Sequence, residues 1–377
     1  VYHMFYQYNP LGAMWQPGNL SWGHSVSRDL VNWDALDTAL DPTAPFDYNG
    51  CWSGSATILP GGIPVLLYTG RIDADKEVQV QNVAFPKNPA DPLLREWVKP
   101  AYNPVIPLPA DVPGDNFRDP TTAWVGRDGL WRIAVAAKVG GPNGIASTLI
   151  YRSKDFWHWK RNALPLYTSR AAGMVECPDL FPVAEPGVEE GRLGYASGPA
   201  SGAVRHVLKL SVMNTTQDYY AVGRYDDVVD TFVPEVDAER NADDCRTWRR
   251  FDYGHTVPRK VWLDEDGKQV RQWPIEEIET LRSKRVVGLL GAQVNAGGVN
   301  KIIGVGAQAD VEAIDHSVVE SFGGGGRTCI TARVYPEHAE NKNSHVFVFN
   351  NGTGLVKVSK LEAWRLAMAS VNVVHGG

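Results

Sequence analysis

The sequence has few cysteines and no zinc-site pattern: Cys51, Cys177, Cys245 and Cys329 lie far apart, and none is spaced CxxC. No metal centre is expected from them, and no cofactor. No apolar run approaches the length of a transmembrane helix, so no membrane span is expected. Positive charge is not in excess. The 37 Lys and Arg against 43 Asp and Glu give a net charge of −6 and a pI near 5.9, which argues against nucleic acid or an anionic membrane as partner. Helical periodicity is nearly absent before residue 270. No signal peptide is seen either, but the chain opens on Val1 rather than Met, so anything upstream is removed or omitted.

Strand signals fill the space. IPVLLYTG (63–70), LWRIAVAAK (130–138), STLIYRS (147–153) and HVLKLSV (206–212) are short apolar runs punctuated by Gly, Pro, Asn and Asp. Asp128-Gly129, between Val125 and Leu130, supplies the positive φ that a tight hairpin needs. With 377 residues, including 37 Gly and 25 Pro, the chain reads as all-β, long enough for one large domain or two.

Self-similarity narrows the fold. Ser27-Arg28-Asp29-Leu30-Val31-Asn32-Trp33 matches Ser153-Lys154-Asp155-Phe156-Trp157-His158-Trp159 in its Ser, base, Asp, large apolar residue and closing Trp. A repeated turn capped by Asp and closed by Trp accounts for it, and coincidence is the alternative. Repeated turns suggest propeller blades over residues 1–270, with residues from several blades meeting in a central funnel. WPIEEIETLRSKR (273–285) has Pro at a first helical position, acids in its first turn and bases in its last, as a helix dipole favours. It predicts a linker helix within 271–285. Strand-like runs beyond it predict a β-sandwich over 286–377.

Among polar residues, Glu176 stands out in AAGMVECPDL (171–180), a carboxylate among apolar neighbours. It reads either as a strand-end group facing water or as an acid whose pKa an apolar surround raises. Arg118-Asp119 precedes Pro120 and reads either as a turn salt bridge or as an ionised carboxylate with a hydroxyl-binding Arg. Trp15, Trp22 and Trp52 lie in turn-like contexts, where an aromatic face beside polar groups suits a sugar ring. For Trp22 a core position is the preferred reading. Asn19, Asn214 and Asn351 open N-x-S/T sequons, which tilt the chain toward secretion.

FYQYNP (5–10), WGHSVSRDLVNW (22–33), WSGSAT (52–57), FRDP (117–120) and ECPD (176–179) occur in one order, followed by WPIEEIE and IDHSVVESFGGGGRTCITARVYP. With these motifs the chain resembles the plant acid invertases and fructan exohydrolases, the β-fructofuranosidases of glycoside hydrolase family 32. The resemblance implies a five-bladed β-propeller followed by a β-sandwich. It implies retaining hydrolysis of sucrose or a fructan, through two carboxyl groups roughly 5 Å apart. Glu176 matches the acid/base and Asp119 the transition-state stabiliser, supported by Arg118. Gln7, Trp15, Trp52 and Ser53 match positions lining the fructose subsite, and Asp252 one that binds the glucosyl unit. His255 stands where the family often has Lys. On the funnel reading, Gln7, Trp15, Trp52, Asp119 and Glu176 converge, with the Asp119 and Glu176 carboxylates within roughly 10 Å. The resemblance further implies a secreted, cell-wall protein rather than a vacuolar one, since Pro178 is of the cell-wall type, and a proteinaceous invertase inhibitor as a partner.

The departures are as specific. The family's nucleophile is the Asp of an N-D-P-N-G motif upstream of the stretch matching VYHMFYQYNP, and no Asp of this chain matches it. FDYGH (251–255) reaches PRKVWLD through Thr256 and Val257 alone, and QADVE (308–312) runs almost directly into IDHSVVESF. Both domains are therefore expected to be incomplete, with exposed sheet edges. The chain as given is expected to be poorly soluble and inactive on sucrose, or to be a non-catalytic relative that binds fructosides or a protein.

Overall fold

The computed structural model describes all residues except 13, 15–18, 74–77, 142, 185, 187–203, 252–256, 303–313, 316–317, 334–345, 368 and 374–377. Four antiparallel sheets follow one another along the chain. The first holds β1 (Tyr2–Tyr8), β2 (Ser21–Ser27) and β3 (Trp33–Leu40); the second β4 (Cys51–Leu59), β5 (Ile63–Asp73), β6 (Val78–Pro86) and β7 (Trp97–Val98). The third is built from β8 (Phe117–Arg118), β9 (Trp124–Val125), β10 (Trp131–Val139), β11 (Ile145–Ser153), β12 (Trp159–Arg161) and β13 (Tyr167–Ser169). The fourth takes β14 (Val175–Ala184), β15 (Val204–Val212), β16 (Gln217–Asp226), β17 (Thr231–Pro234) and β18 (Arg249–Phe251). A hairpin of β19 (Arg259–Leu263) and β20 (Val270–Pro274) comes next.

The apolar runs are continuous rather than alternating because these sheets are covered on both faces. Successive side chains of a strand point to opposite faces, so a middle strand feeds two cores. On β5, Leu66 and Tyr68 pack with Trp22, Leu40 and Cys51 between the first and second sheets. Val65 and Leu67 of the same strand pack with Phe117, Ile133 and Val135 between the second and third. On β10, Ala134 and Ala136 face Leu208, Leu210 and Tyr219 of the fourth sheet. Val207 and Tyr220 then meet Leu263 and Val270 of the hairpin. Sheets stacked in this relay are propeller blades, four among the described residues, with the hairpin packed beside the fourth.

Both repeat copies form one turn. Ser27 Oγ accepts the Leu30 N–H at 2.8 Å, and Asp29 Oδ1 accepts the N–H groups of Val31 and Asn32 at 3.0 and 2.7 Å. The Trp33 indole donates to Leu30 O at 3.2 Å. Ser153, Asp155 and Trp159 repeat every one of these bonds around Phe156. Leu30 and Phe156 share a positive φ, 63° and 64°. The Asp128-Gly129 hairpin forms as well, with Gly129 at φ 74°.

The predicted linker helix is reduced to a six-residue 3-10 helix. Residues 276–281 make one short 3-10 segment between β20 and β21 (Arg282–Val294), with Glu276, Glu277 and Glu279 in its first turn. Pro274 still belongs to β20 and Arg282 already pairs with Leu366, so strand pairing claims both flanks of the helical pattern. Beyond it lie β22 (Val299–Ile302), β23 (Ile314–Asp315), β24 (Val318–Gly323), β25 (Thr328–Arg333), β26 (Val346–Phe349) and β27 (Val356–Leu366). They pair as β21–β27, β22–β26 and β23–β24–β25, in sandwich-like sheets. Arg259 of the hairpin reaches Glu320 of β24 at 2.6 Å, both nearly fully buried, and joins the two regions. The last strand, β28 (Val371–Val373), returns to the first blade and runs parallel to β3.

Candidate active site

Edge strands of three blades break their regular pairing at the end where the predicted site residues lie. β4 slips register between Trp52 and Gly54, around Ser53. Asp119, just after β8, has φ 64°. β14 slips between Glu176 and Asp179, with Cys177 at φ 43°. Such bulges re-aim side chains, and a non-glycine residue at positive φ costs roughly 1 kcal/mol or more unless its surroundings fix it. Here they do. The Asp119 N–H donates to Thr69 Oγ at 2.8 Å, and the Cys177 N–H donates to Asp119 Oδ2 at 2.8 Å.

Arg118 is the centre of the arrangement. It is 5% exposed. Its Nε donates to Glu176 Oε1 at 2.9 Å and lies 4.0 Å from Asp119 Oδ2, which caps the separation of those two oxygens at about 7 Å. Its Nη1 donates to Asp115 O at 2.6 Å and to Gln79 Oε1 at 3.3 Å, and its Nη2 to Met213 Sδ at 3.0 Å. Gln79 also accepts the Phe117 N–H at 3.1 Å, while Gln81 donates to Phe117 O at 3.0 Å and accepts from Thr69 at 2.8 Å. Blade two thus grips the Phe117-Arg118-Asp119 segment of blade three from beneath.

Electrostatically the two carboxylates differ. The Asp119 side chain is 7% exposed and that of Glu176 33%. Burial raises the pKa of Asp119, opposed by the Arg118 charge and the Cys177 N–H. Burial also holds the Cys177 thiol well above its ordinary range, so it stays protonated beside Asp119, 3.6 Å away. The surround of Glu176 is not the apolar one expected, because ECPD lies against a guanidinium from the neighbouring blade. Asp179 is pushed up to about 6 by burial, against the pull of Lys209. Lys209 is buried, donating to Ser211 Oγ at 2.9 Å and to Cys177 O at 3.4 Å, which ties down the bulge below Glu176.

The remaining predicted residues connect less directly. The Trp52 carbonyl accepts the Trp22 indole N–H at 3.0 Å, and the guanidinium of Arg71 lies 5.3 Å from the Trp52 ring centre. Trp52 pairs in register with Thr69, so it stands one strand from Asp119's support. Ser53 is half-buried in the bulge. Gln7 is exposed on β1 opposite Trp22, which is itself a core residue. Trp15, Asp252 and His255 lie outside the described residues. Asn19, Asn214 and Asn351 are all exposed. No group of three or more His, Cys, Asp or Glu among the described residues is arranged to hold a metal ion, and no described helix is long and apolar enough to cross a membrane.

Sequence reasoning missed Thr69, Gln79, Gln81, Lys209 and Met213, which hold the site from other strands. One signal was present. Gln79 and Gln81 alternate in VQVQ (78–81) within a run buried on both faces, where uncharged polar side chains need partners.

Residues 1–273 match the glycosyl hydrolases family 32 N-terminal domain, and residues 313–365 match the family's C-terminal domain. The chain belongs to glycosyl hydrolase family 32. It is 71% identical to a fructan 6-exohydrolase of Triticum aestivum over 523 aligned positions, covering 100% of this chain and 88% of that protein. Those positions outnumber the 377 residues here, so this family member lacks stretches that its relative carries. It is 51% identical to the insoluble isoenzyme 7 β-fructofuranosidase of Oryza sativa subsp. indica, covering 100% of this chain and 86% of that one. Among solved structures, fructan 1-exohydrolase IIa of Cichorium intybus superposes with a TM-score of 0.86 at 33% identity, over 99% of this chain and 94% of its own.

Proposed function

We propose that this family 32 protein is a β-fructofuranosidase that releases terminal fructosyl units from sucrose or a fructan with retention. Arg118 carries the reading, because it brings carboxylates of two blades, Glu176 and Asp119, to one guanidinium. Glu176 acts as acid and then base. One oxygen is fixed by Arg118, while a third of the side chain stays open, where a leaving-group oxygen can reach it. Asp119, buried and held by the Cys177 N–H, grips fructose hydroxyls, and Trp52, Ser53 and Gln7 border the subsite with Trp15. Asp252 contacts the leaving group. The nucleophile of a retaining reaction is assigned to none of these residues. Fructose release from sucrose or from a levan- or inulin-type oligomer by the full-length protein tests the reading; no release above background from any of them overturns it.

A second reading, fructan exohydrolase, is favoured by the 71% identity to the wheat protein against 51% to the rice one. Faster fructose release from a levan-type than from an inulin-type oligomer or sucrose supports it.

Further proposals follow from the same membership. The β19–β20 hairpin packs beside the fourth blade where a fifth would start, and we assign it as that blade's remainder. The chain divides into a propeller (1–270), a connection (271–285) and a sandwich (286–377). Glycosylation at Asn19, Asn214 and Asn351 and a cell-wall location accord with their exposure and with relatives named insoluble isoenzymes. A proteinaceous invertase inhibitor is the protein partner we propose.

A further inference from the structure

We infer that Met213 is an oxidation-sensitive site that controls fructoside binding through Arg118. The inference rests on the fructoside site proposed above. Arg118 is almost wholly buried, and its described acceptors are the carboxylate of Glu176, the carbonyl of Asp115, the amide of Gln79 and one thioether. That thioether is the soft partner, and it is the one at the surface: Met213 is 45% exposed, in a three-residue 3-10 turn at the end of β15. Met174, whose carbonyl accepts the Met213 N–H, is buried.

A peroxide reaches the exposed Met213 residue from solvent. The Sδ lone pair attacks one peroxide oxygen, the O–O bond breaks and an S–O bond forms. Sulfur is oxidised by two electrons, and hydrogen peroxide is reduced to water. The product is a polar sulfoxide, a far better hydrogen-bond acceptor than the thioether. Oxygen adds to a sulfur lone pair other than the one that now accepts Nη2 at 3.0 Å. The sulfoxide oxygen, the stronger acceptor, then competes for the guanidinium N–H groups and draws Nη2 off the thioether. Glu176 is held by Nε at 2.9 Å, so a shift of Arg118 misplaces it and moves the charge that lies 4.0 Å from Asp119.

The test uses the 377-residue chain, hydrogen peroxide and sucrose or, where sucrose does not bind, a levan-type oligomer in its place. Sulfoxide is located by peptide mass spectrometry, sucrose affinity is measured by calorimetry before and after treatment, and folding is followed by thermal unfolding. Expected is sucrose affinity lowered about tenfold or more at an unchanged unfolding temperature, as displacement of a charge-assisted hydrogen bond implies. A methionine sulfoxide reductase should restore it. Met213→Leu should keep its own untreated affinity through treatment, while Met4→Leu/Met14→Leu, which removes two other exposed methionines, should still lose affinity. Full Met213 sulfoxide with unchanged affinity overturns the inference, as does equal loss in Met213→Leu, or Met213 left unoxidised while Met4 and Met14 react. Absence of binding of both sucrose and a levan-type oligomer before treatment overturns the fructoside site itself and this inference with it.

Discussion

The hydroxyl of Thr69 in blade two accepts the backbone N–H of Asp119 in blade three at 2.8 Å and donates to Gln81 Oε1 at 2.8 Å. Thr69 and Gln81 are completely buried, and the bond fixes Asp119 at its positive φ. Thr69→Val keeps the shape and removes the acceptor. In a form carrying the upstream N-D-P-N-G Asp, it is expected to lower kcat/KM about tenfold or more and stability by about 1–3 kcal/mol. Thr69→Ser restores the hydroxyl and is expected to recover kcat/KM. Equal losses in both would reduce Thr69 to a packing residue.

Glu176→Gln keeps a hydrogen-bond acceptor for Arg118 but cannot transfer a proton. In the same extended form, kcat on sucrose is expected to fall 10²–10⁴-fold with binding largely intact, the range of acid–base catalysis. A variant retaining more than about a tenth of the parent kcat would remove Glu176 from the role.

Arg259 and Glu320 make a pair whose side chains are 3% and 0% exposed. The Arg259 guanidinium also lies 5.0 Å from the Phe322 ring centre and donates to Thr331 Oγ at 3.1 Å. Glu320→Ala leaves a buried cation without its carboxylate, and a loss of about 3–5 kcal/mol is expected in urea unfolding followed by tryptophan fluorescence. A loss below about 1 kcal/mol would mean that water reaches Arg259.

His24 is fully buried, with Nε2 3.0 Å from His3 Nδ1, and burial lowers its pKa from 6.5 to about 4, helped by His3. The unfolded chain therefore binds the proton first on acidification. His24 contributes stability above about pH 6.5 that is lost as pH falls toward 4, about 3 kcal/mol at most. Asp179, raised to about 6, acts oppositely in the same window: its contribution is present below about 3.8 and lost as pH rises through 6. The parent chain should thus show a shallow acid slope, and His24→Gln should become more stable at pH 4 relative to pH 7 than the parent does. Parallel profiles for the two would exclude His24 as a source of acid sensitivity.

The turns were legible because their chemistry is local. Ser27, Asp29 and Trp33 close their own loop, so a seven-residue pattern carries the whole structure. Glu176 and Arg118-Asp119 were legible as unusual residues, but their meeting was not, since 58 positions separate Arg118 from Glu176 and only the stacking of blades joins them. Gln79 and Gln81 carry the local mark of buried polar residues that need partners, but nothing local says that the partners lie one blade away, and Thr69 carries no mark at all. The linker helix is shorter than its charge pattern suggests for a related reason. Its charge pattern is local, but the strands on either side are paired with distant partners.

Asn32, in the turn that opens β3, accepts the Ser370 N–H at 2.8 Å across 338 positions of sequence, and the Trp33 N–H donates to Ser370 O at 2.9 Å. On a ribosome, the outer edge of the first blade stays open while every later blade and the sandwich are synthesised. This sheet is completed only after the later blades among the described residues, so its bare strand edge is a standing risk for mispairing while they are synthesised.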